Sequence, residues 1–307
     1  MFTTIDTSEP PPGQSDRSGS SLGRMLGRLR RVGPAERMRI VTVGGRGLRV
    51  AVREGTPGWP PLLLCNGIGA SLELFQPFVD ALDPRRPVIR FDMPGIGGSP
   101  APVVPYHLAT LPSLLAGLLD QLGFQQADVL GISWGGGVAQ HFAFSQRRRC
   151  RRLVLVATAT GAIMVPARPE VLVQMVTPRR YLDPGYLQRV APTIYGGSAR
   201  TAPDRVRALM HDHSRVGSPR GYLYQLAAGA GWTSVPFLPL LRQPTLILAG
   251  DDDPLIPLAN ARLLRLLIPN SRLHIYNGGH LGLVTEAAEL APVVDGFLTA
   301  ADPRSGS

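Results

Sequence analysis

Short apolar runs recur along the chain from residue 38 onward, and they predict most of the secondary structure. Two of these runs flank Gly44-Gly45, and paired glycines between apolar runs are typical of a β-hairpin. The other runs suit strands that are buried on both faces of a parallel sheet. The predicted strands are Met38–Val43, Leu48–Val52, Leu62–Cys65, Val88–Phe91, Asp128–Ile132, Leu153–Val156, Thr245–Ala249 and Leu273–Tyr276.

Stretches with helical periodicity separate most of these strands. They lie at about 71–82, 108–123, 134–146 and 283–299. Strands and helices in alternation predict a doubly wound α/β sheet, so we expect a mostly parallel, eight-stranded sheet with helices on both faces. The alternation stops after the sixth strand, where the sequence is rich in Pro, Tyr, Met and Leu. We interpret this segment as a helical cap over the carboxyl ends of the strands, where sites of open α/β sheets form.

The predicted domain division follows from these changes in pattern. Residues 37–160 and 241–300 form the α/β core, and residues 161–240 form the cap. Residues 1–36 are rich in Ser, Pro, Gly and Arg and are expected to be a disordered arm. Within the arm, a helical apolar spacing surrounded by arginines indicates a short amphipathic helix that could touch a lipid or polymer surface: Leu22, Met25, Leu26 and Leu29. A helix packed on its own domain, or no helix at all, is the alternative.

Composition excludes several classes of protein. The chain has 307 residues, of which 44% are hydrophobic, enough for one large core with an inserted subdomain. Its net charge of +10 comes from scattered arginines without a nucleic-acid-binding signature, so nucleic acid is not an expected partner. No apolar stretch reaches the roughly 18 residues of a membrane span, and the N-terminus lacks the apolar core of a signal peptide. Cys65 and Cys150 give neither a disulfide framework nor metal spacing, which favours the cytoplasm.

The sequence Gly131-Ile132-Ser133-Trp134-Gly135 is the strongest indication of chemistry. It is a G-x-S-x-G motif between a predicted strand and a predicted helix, which is typical of the nucleophile elbow of α/β-hydrolases. The sharp turn strains the serine backbone and leaves no room for side chains two positions to either side. A serine hydroxyl is a weak nucleophile, so Ser133 needs a base, an acid that orients the base, and oxyanion donors.

The base is expected on a loop after the last strand, and His280 alone among the six histidines meets that condition. It ends the flexible turn Asn277-Gly278-Gly279-His280. The other histidines are interpreted as structural or solvated: His107, His141, His211, His213 and His274. His211 and His213 do not form a metal pair on a helix, because residues two apart face different directions. No metal or other cofactor is expected.

The orienting acid is expected after the seventh strand, where Asp251, Asp252 and Asp253 are consecutive. We favour Asp253, because the acid in this type of loop commonly stands three residues after a glycine and four before a proline. Asp252 remains the alternative. The acid would hold the imidazole in the tautomer that accepts the serine proton.

Two backbone N–H groups are expected to form the oxyanion hole. Trp134 follows the nucleophile directly, and Ile68 lies in Asn66-Gly67-Ile68-Gly69, just after a predicted strand. Asn66 stands where many α/β-hydrolases have histidine. Because the donor is main chain, this departure should spare the hole and alter only its support.

These residues resemble a particular family, the intracellular medium-chain-length poly(3-hydroxyalkanoate) depolymerases of the α/β-hydrolase fold. The resemblance covers about residues 38–300, including the predicted cap, and leaves out the arm. It is carried by Cys65–Ala70, Phe91–Ser99, Gly131–Gly136, Ala191–Gly197, Gly231–Ser234, Pro244–Pro257 and Gly279–Leu281. The cap motifs make it specific, since the elbow, the acid loop and the Gly-His pair are shared with many other hydrolases.

The resemblance implies that Ser133, Asp253 and His280 hydrolyse ester bonds of a storage polyester of 3-hydroxy fatty acids. It also implies association with the surface of the polymer granule. Apolar cap residues would receive the alkyl side chains, although they would serve a cap core equally well: Met164, Val165, Leu172, Met175, Ile194, Tyr195 and Leu223. The sequence gives no prediction of the oligomeric state.

Three alternatives remain open. The first is a carboxylesterase or lipase that acts on small or emulsified esters. The second is a non-catalytic granule-binding protein that keeps the fold, against which the complete set of catalytic residues argues. The third is a perhydrolase or haloperoxidase-like activity, in which peroxide replaces water on the same residues.

Overall fold

The computed structural model describes residues 36–301, apart from 213, 214 and 216 and the side chains of 211 and 212. Within these residues, eight strands form a single sheet in the order β1-β2-β4-β3-β5-β6-β7-β8. The strands are β1 (Glu36–Val43), β2 (Arg46–Arg53), β3 (Leu62–Cys65), β4 (Val88–Phe91), β5 (Ala127–Ile132), β6 (Cys150–Val156), β7 (Thr245–Gly250) and β8 (Ser271–Tyr276). The predicted fold class is confirmed.

The strand directions follow from how the strands are connected. β1 and β2 form the predicted hairpin, and β2 pairs antiparallel with β4. Gly44 and Gly45 form the turn between β1 and β2, with φ angles of 54° and 75°, a region that favours glycine. From β4 to β8 all pairs are parallel, and parallel neighbours need long crossover connections.

Twelve helices lie within the described residues, with short 3-10 helices at Leu72–Phe75, Leu108–Thr110 and Leu238–Leu240. The α-helices are α1 (Gln76–Ala81), α2 (Leu111–Gln121), α3 (Trp134–Ser145), α4 (Pro169–Met175), α5 (Arg179–Leu182), α6 (Pro184–Tyr195), α7 (Ser198–Thr201), α8 (Pro203–Asp212), α9 (Pro219–Gly229), α10 (Leu258–Leu267), α11 (Gly282–Thr285) and α12 (Ala287–Thr299).

The sheet has an apolar core on each face, because successive strand residues point to opposite sides. On β5, Val129 packs into a cluster with Phe142 of α3, and Leu130 packs into the opposite cluster with Phe78 of α1. Both faces of the central strands are therefore covered, as a parallel sheet requires.

The segment between β6 and β7 leaves the sheet and returns to nearly the same point. Gly161 forms an isolated antiparallel bridge with Thr233, and the amide of Ala162 donates to the carbonyl of Trp232 at 2.7 Å. Six helices, α4 to α9, lie between these points. We call residues 161–240 the helical insertion; its treatment as a separate cap domain stays a prediction.

Some elements differ from the sequence-based expectation. The chain pattern predicts no helix between β7 and β8, yet α10 makes the crossover there and buries Ala261 and Leu264. The stretch predicted as one helix at 283–299 is divided at Glu286 into α11 and α12. The predicted arm, apart from Glu36, and its amphipathic helix lie outside the described residues.

Candidate active site

Four loops meet at the carboxyl ends of neighbouring parallel strands. They follow β3, β5, β7 and β8, and they carry Asn66–Ser71, Ser133, Asp251–Pro257 and Asn277–Leu281. This edge of an open α/β sheet is where ligand sites form. Ser133 and His280 line one cavity there, whose empty volume, including its opening to solvent, is about 380 Å³.

Ser133 occupies a strained turn between β5 and α3. Its φ of 54° and ψ of −122° lie in a region that non-glycine residues rarely adopt. Two contacts hold it there: its amide donates to the carbonyl of Val156 at 2.9 Å, and its carbonyl accepts from Thr158 Oγ1 at 2.7 Å. The strain presents the side chain to the cavity at the end of the strand.

The glycines of the elbow are required by close packing. A Cβ on Gly135 would lie 2.2 Å from the carbonyl oxygen of Cys65, and a Cβ on Gly131 would lie 2.3 Å from the carbonyl oxygen of Gly135. Real Cβ atoms do not approach carbonyl oxygens so closely. The motif therefore lets α3 start directly against the loop that follows β3.

The structure brings Asp253 to His280. Nδ1 of His280 lies 2.9 Å from Oδ2 of Asp253, and both side chains are buried. The other carboxylate oxygen, Oδ1, accepts backbone N–H groups of Leu255 at 2.9 Å and Ile256 at 2.8 Å. These bonds fix the carboxylate in one orientation, so that it faces the imidazole.

The other two aspartates of the loop have different partners. Asp252, whose side chain is 43% exposed, forms an ion pair with Arg200 and accepts the amide of Gly197 at 2.7 Å. Asp251 accepts the amide of Gly278 at 3.0 Å, and this bond braces the loop before His280. Asp252, the alternative acid, is thus not brought to the imidazole.

The loop after β3 lies against the elbow. A Cβ on Gly67 would lie 3.5 Å from Cβ of Ser133. In the part of the chain that the structure describes, the N–H groups of Ile68 and Trp134 have no protein acceptor, so both are available to an oxyanion. Asn66 supports this loop, since its Nδ2 donates to the carbonyl of Ser71 at 2.6 Å.

The helical insertion contacts the site at several points. The hydroxyl of Tyr181 donates to the carbonyl of Ile68 at 2.7 Å, and Gln225 Oε1 accepts the amide of Gly69 at 2.7 Å. The amide of His280 donates to the carbonyl of Tyr195 at 2.7 Å. The rings of Tyr195 and His280 are nearly parallel, with centroids 6.2 Å apart, and burial raises the pKa of the Tyr195 phenol.

The predicted substrate contacts are only partly located at the cavity. Tyr195 and Met175 line it. Ile194 does not, because it is completely buried in the core under α6, and the neighbouring residue of a helix faces another direction. Val165 is 42% exposed, and its backbone is held by Asn260 away from the cavity. Met164 is likewise absent from the cavity wall.

Several residues at the site have no signal in the sequence. The cavity is otherwise mostly apolar, with walls from Leu74, Met210, Leu255 and Leu281. Arg180 and Tyr181 of α5 also line it, and neither was expected. Every basic residue of this chain is arginine, so an arginine at position 180 does not stand out by type.

Other titratable groups have structural roles. Burial raises the pKa of the Cys65 thiol, so the thiol stays protonated and is no nucleophile at neutral pH. His141 Nδ1 accepts the indole N–H of Trp232 at 3.0 Å, and His107 caps the 3-10 helix that follows it.

Among the described residues, no group of three His, Cys, Asp or Glu could hold a metal ion. No helix of the described residues is long and apolar enough to cross a membrane.

A strained serine after a central strand, backed by a buried His–Asp pair, is the arrangement of a serine hydrolase with the α/β-hydrolase fold. Comparison with known proteins agrees. The family model of the alpha/beta hydrolase fold matches residues 60–287, and the chain belongs to this family.

Individual relatives and a solved structure give a more specific comparison than the family model. The chain is 52% identical to a poly(3-hydroxyalkanoate) depolymerase of Ectopseudomonas oleovorans over 85% of this chain and 92% of the relative, which confirms the resemblance stated from the sequence. It is 29% identical to 3-oxoadipate enol-lactonase 2 of Acinetobacter baylyi over 74% of this chain and 84% of that protein. The crystal structure of an enol-lactonase from Burkholderia xenovorans LB400 superposes with a TM-score of 0.74, at 26% identity, covering 85% of this chain and all of that one.

Proposed function

We propose that this protein is a serine ester hydrolase that cleaves a medium-chain-length poly(3-hydroxyalkanoate) through an acyl-enzyme intermediate. The observation that carries the chemistry is that Ser133 lines the same cavity as His280, whose Nδ1 is 2.9 Å from Oδ2 of Asp253. The substrate class rests on the similarity to the poly(3-hydroxyalkanoate) depolymerase.

Acylation begins when the hydroxyl of Ser133 attacks the ester carbonyl while His280 Nε2 takes its proton. Asp253 keeps the proton of His280 on Nδ1 and stabilises the imidazolium that forms. The N–H groups of Ile68 and Trp134 bind the oxyanion of the tetrahedral intermediate. Its collapse breaks the bond to the leaving oxygen, which receives the proton of His280 and departs as a 3-hydroxyl group.

Deacylation repeats these steps with water. His280 removes a proton from a water molecule, which attacks the acyl carbon of the Ser133 ester. The second tetrahedral intermediate collapses, Ser133 regains its proton, and the acid leaves. One ester and one water thus give one carboxylic acid and one alcohol, without a metal or other cofactor.

The apolar cavity wall suits the alkyl side chains of such a polyester. Met175, Met210 and Leu255 supply flexible or branched apolar surface beside Ser133. Exposed apolar residues of α4 and the turn after it offer a surface for the polymer granule, an association that would place the protein in the cytoplasm: Leu172, Val173 and Val176.

A carboxylesterase acting on small esters is the second candidate. The limited room in the cavity favours it, because a small ester enters such a cavity more readily than a polymer chain does. We prefer the polyester because the similarity to the depolymerase extends over most of the chain.

The test compares initial rates on an amorphous medium-chain polyester dispersion, an emulsified triglyceride and p-nitrophenyl octanoate. We expect the polyester to be hydrolysed and the triglyceride to be a poor substrate. Brisk turnover of the soluble ester with an inert polyester would favour the carboxylesterase.

Labelling with a fluorophosphonate probe tests the non-catalytic alternative. We expect wild-type protein to be labelled and Ser133→Ala to be unlabelled. Ser145→Ala, an exposed serine at the end of α3, is the matched control and should label like wild type. Folded wild-type protein that resists the probe would indicate a granule-binding protein without catalysis.

A further inference from the structure

Arg180 is a completely buried arginine at the wall of the catalytic cavity. Its relative exposure is 2%, and it lines the same cavity as Ser133 and His280. Among the residues that the structure describes, no carboxylate lies within ion-pairing distance of it. A buried charge without a countercharge is unfavourable, and proteins seldom keep one without a use.

Three of the other buried arginines have carboxylate partners. Arg49 pairs with Asp92, Arg86 pairs with Asp295, and Arg90 pairs with Glu36. Each of these arginines joins parts of the core through a carboxylate. Arg53 and Arg152 are also buried, and both donate to backbone carbonyls. Among the buried arginines of the described residues, Arg180 alone lines the catalytic cavity.

The guanidinium of Arg180 is oriented but incompletely bonded. Nη1 donates to the hydroxyl of Tyr222 at 2.8 Å and makes a long contact of 3.4 Å with the carbonyl of Thr177. The guanidinium centre lies 4.6 Å from the ring centroid of Tyr181 and 5.3 Å from that of Tyr222, and the phenol of Tyr195 also interacts with it. Nη2 has one long contact, 3.4 Å to the carbonyl of Ile68, and buried Nε has no hydrogen-bond partner. Nε and Nη2 form one edge of the guanidinium, the edge that binds a carboxylate through two parallel hydrogen bonds.

We propose that Arg180 binds the free carboxylate at the end of a 3-hydroxyalkanoate chain, so that the enzyme cleaves the terminal ester and releases single 3-hydroxy acids. This proposal rests on the function proposed above. In the terminal ester, the carboxylate carbon is four bonds from the scissile carbonyl carbon, a span of about 5 Å from ordinary bond lengths. A cation on the wall of the catalytic cavity therefore suits a carboxylate on the leaving group.

The chemistry of the polymer makes such recognition repeatable. Hydrolysis of the terminal ester releases a 3-hydroxyalkanoate, and the remaining chain ends in a new carboxylate at the cleaved carbonyl. That carboxylate is ionised at neutral pH and is the next ligand for Arg180. The arginine stays charged throughout, since guanidinium groups do not deprotonate in proteins.

The experiment compares two soluble substrates that differ in one charge: the dimer of 3-hydroxyoctanoic acid with a free carboxylate, and the methyl ester of that dimer. The ratio of their kcat/KM values for the internal ester measures carboxylate recognition and cancels general damage to the enzyme. We expect the kcat/KM of wild type to be at least about tenfold higher for the free acid, a ratio that corresponds to the contribution of one charge-assisted hydrogen bond. Arg180→Gln should reduce this ratio to about one, and Arg180→Lys should keep part of it.

The matched control is Arg179→Gln on the same short helix. Arg179 is 57% exposed and pairs with Asp183 at the surface, so its loss should leave the ratio at the wild-type value. A wild-type ratio near one would overturn the proposal even if Arg180→Gln failed to fold. A preference that survives in folded Arg180→Gln would also overturn it.

The outcomes separate this proposal from the proposed function. Hydrolysis of both dimers at equal rates would leave the polyester hydrolase in place and remove only the carboxylate site. Hydrolysis of p-nitrophenyl octanoate, with neither dimer cleaved and the polyester dispersion left intact, would contradict both the carboxylate site and the proposed function.

Discussion

Replacing Asp253 by asparagine should nearly abolish turnover while leaving the fold unchanged. Asparagine has the same shape as aspartate, but only one of its two terminal atoms is an oxygen. In the structure, Oδ1 of Asp253 accepts the N–H groups of Leu255 and Ile256, and Oδ2 faces Nδ1 of His280. The orientation of the new amide decides the outcome.

The two backbone donors hold the remaining oxygen on their side. Turning the amide around would leave two N–H groups unsatisfied in a buried site, at a cost of about 1–3 kcal/mol each. The favoured orientation therefore directs the amide NH₂ at Nδ1 of His280, which must then act as the acceptor. The proton moves to Nε2, and the imidazole can no longer take the proton of Ser133. In serine hydrolases the wrong tautomer lowers kcat by about 10⁴-fold, or about 5.5 kcal/mol in the barrier.

The assay is kcat for p-nitrophenyl octanoate, with thermal unfolding to show that the variant is folded. Asp252→Asn is the matched control, since this half-exposed side chain is held by Arg200 and contacts no residue of the proposed triad. We expect the control to stay within about tenfold of wild type. A folded Asp253→Asn variant with more than about a tenth of wild-type kcat, or a larger loss in Asp252→Asn, would refute the reasoning.

Three further substitutions test separate parts of the structure. Gly135→Ala would place a methyl group 2.2 Å and 2.4 Å from the carbonyl oxygens of Cys65 and Asn66 at the end of β3, so we expect urea unfolding to show a loss of at least about 2 kcal/mol. Gly296→Ala, whose methyl group would have open space, should gain about 0.5–1 kcal/mol. Tyr181→Phe removes the hydroxyl that holds the carbonyl of Ile68, and kcat should fall about five- to tenfold with the midpoint of thermal unfolding nearly unchanged; an unaltered kcat would contradict that role. Asp92→Ala leaves two buried backbone amides without their acceptor and leaves the buried Arg49 with Glu73 as its one carboxylate partner among the described residues. The free energy of unfolding should therefore fall by about 3–5 kcal/mol, and a loss below about 1 kcal/mol would argue against a buried network.

Much of the sheet could be predicted because a buried strand appears in the sequence as a short run of apolar residues. β3 and β4 match their predicted bounds residue for residue, since short strands covered on both faces are mostly apolar. Arg90 of β4 is the exception, and its charge is paired with Glu36. α10 could not be predicted from the chain pattern in the same way. Its short apolar stripe is interrupted by Asn260 and Arg262, and the need for a crossover between β7 and β8 becomes clear only from the parallel pairing.

Some residues of the candidate site could likewise be predicted from the sequence, and others could not. Ser133 is marked by stereochemistry, because the elbow needs glycine two positions to either side whatever the rest of the fold does. The roles of Ile194 and Tyr195 depend on the phase of α6, which places one residue in the core and its neighbour at the cavity. The place of Arg180 at the cavity depends on tertiary burial alone, and no local pattern in the sequence distinguishes it from its exposed neighbour Arg179.

The measurement that tests the central claim most directly is the clearing of an amorphous medium-chain poly(3-hydroxyalkanoate) suspension by wild type and by Ser133→Ala, with products identified by mass spectrometry. The account predicts that wild type clears the suspension and releases 3-hydroxyalkanoic acids, while Ser133→Ala releases none. Equal clearing by both proteins would contradict the role of Ser133, and a suspension that wild type leaves intact while it hydrolyses p-nitrophenyl octanoate would contradict the polyester as substrate.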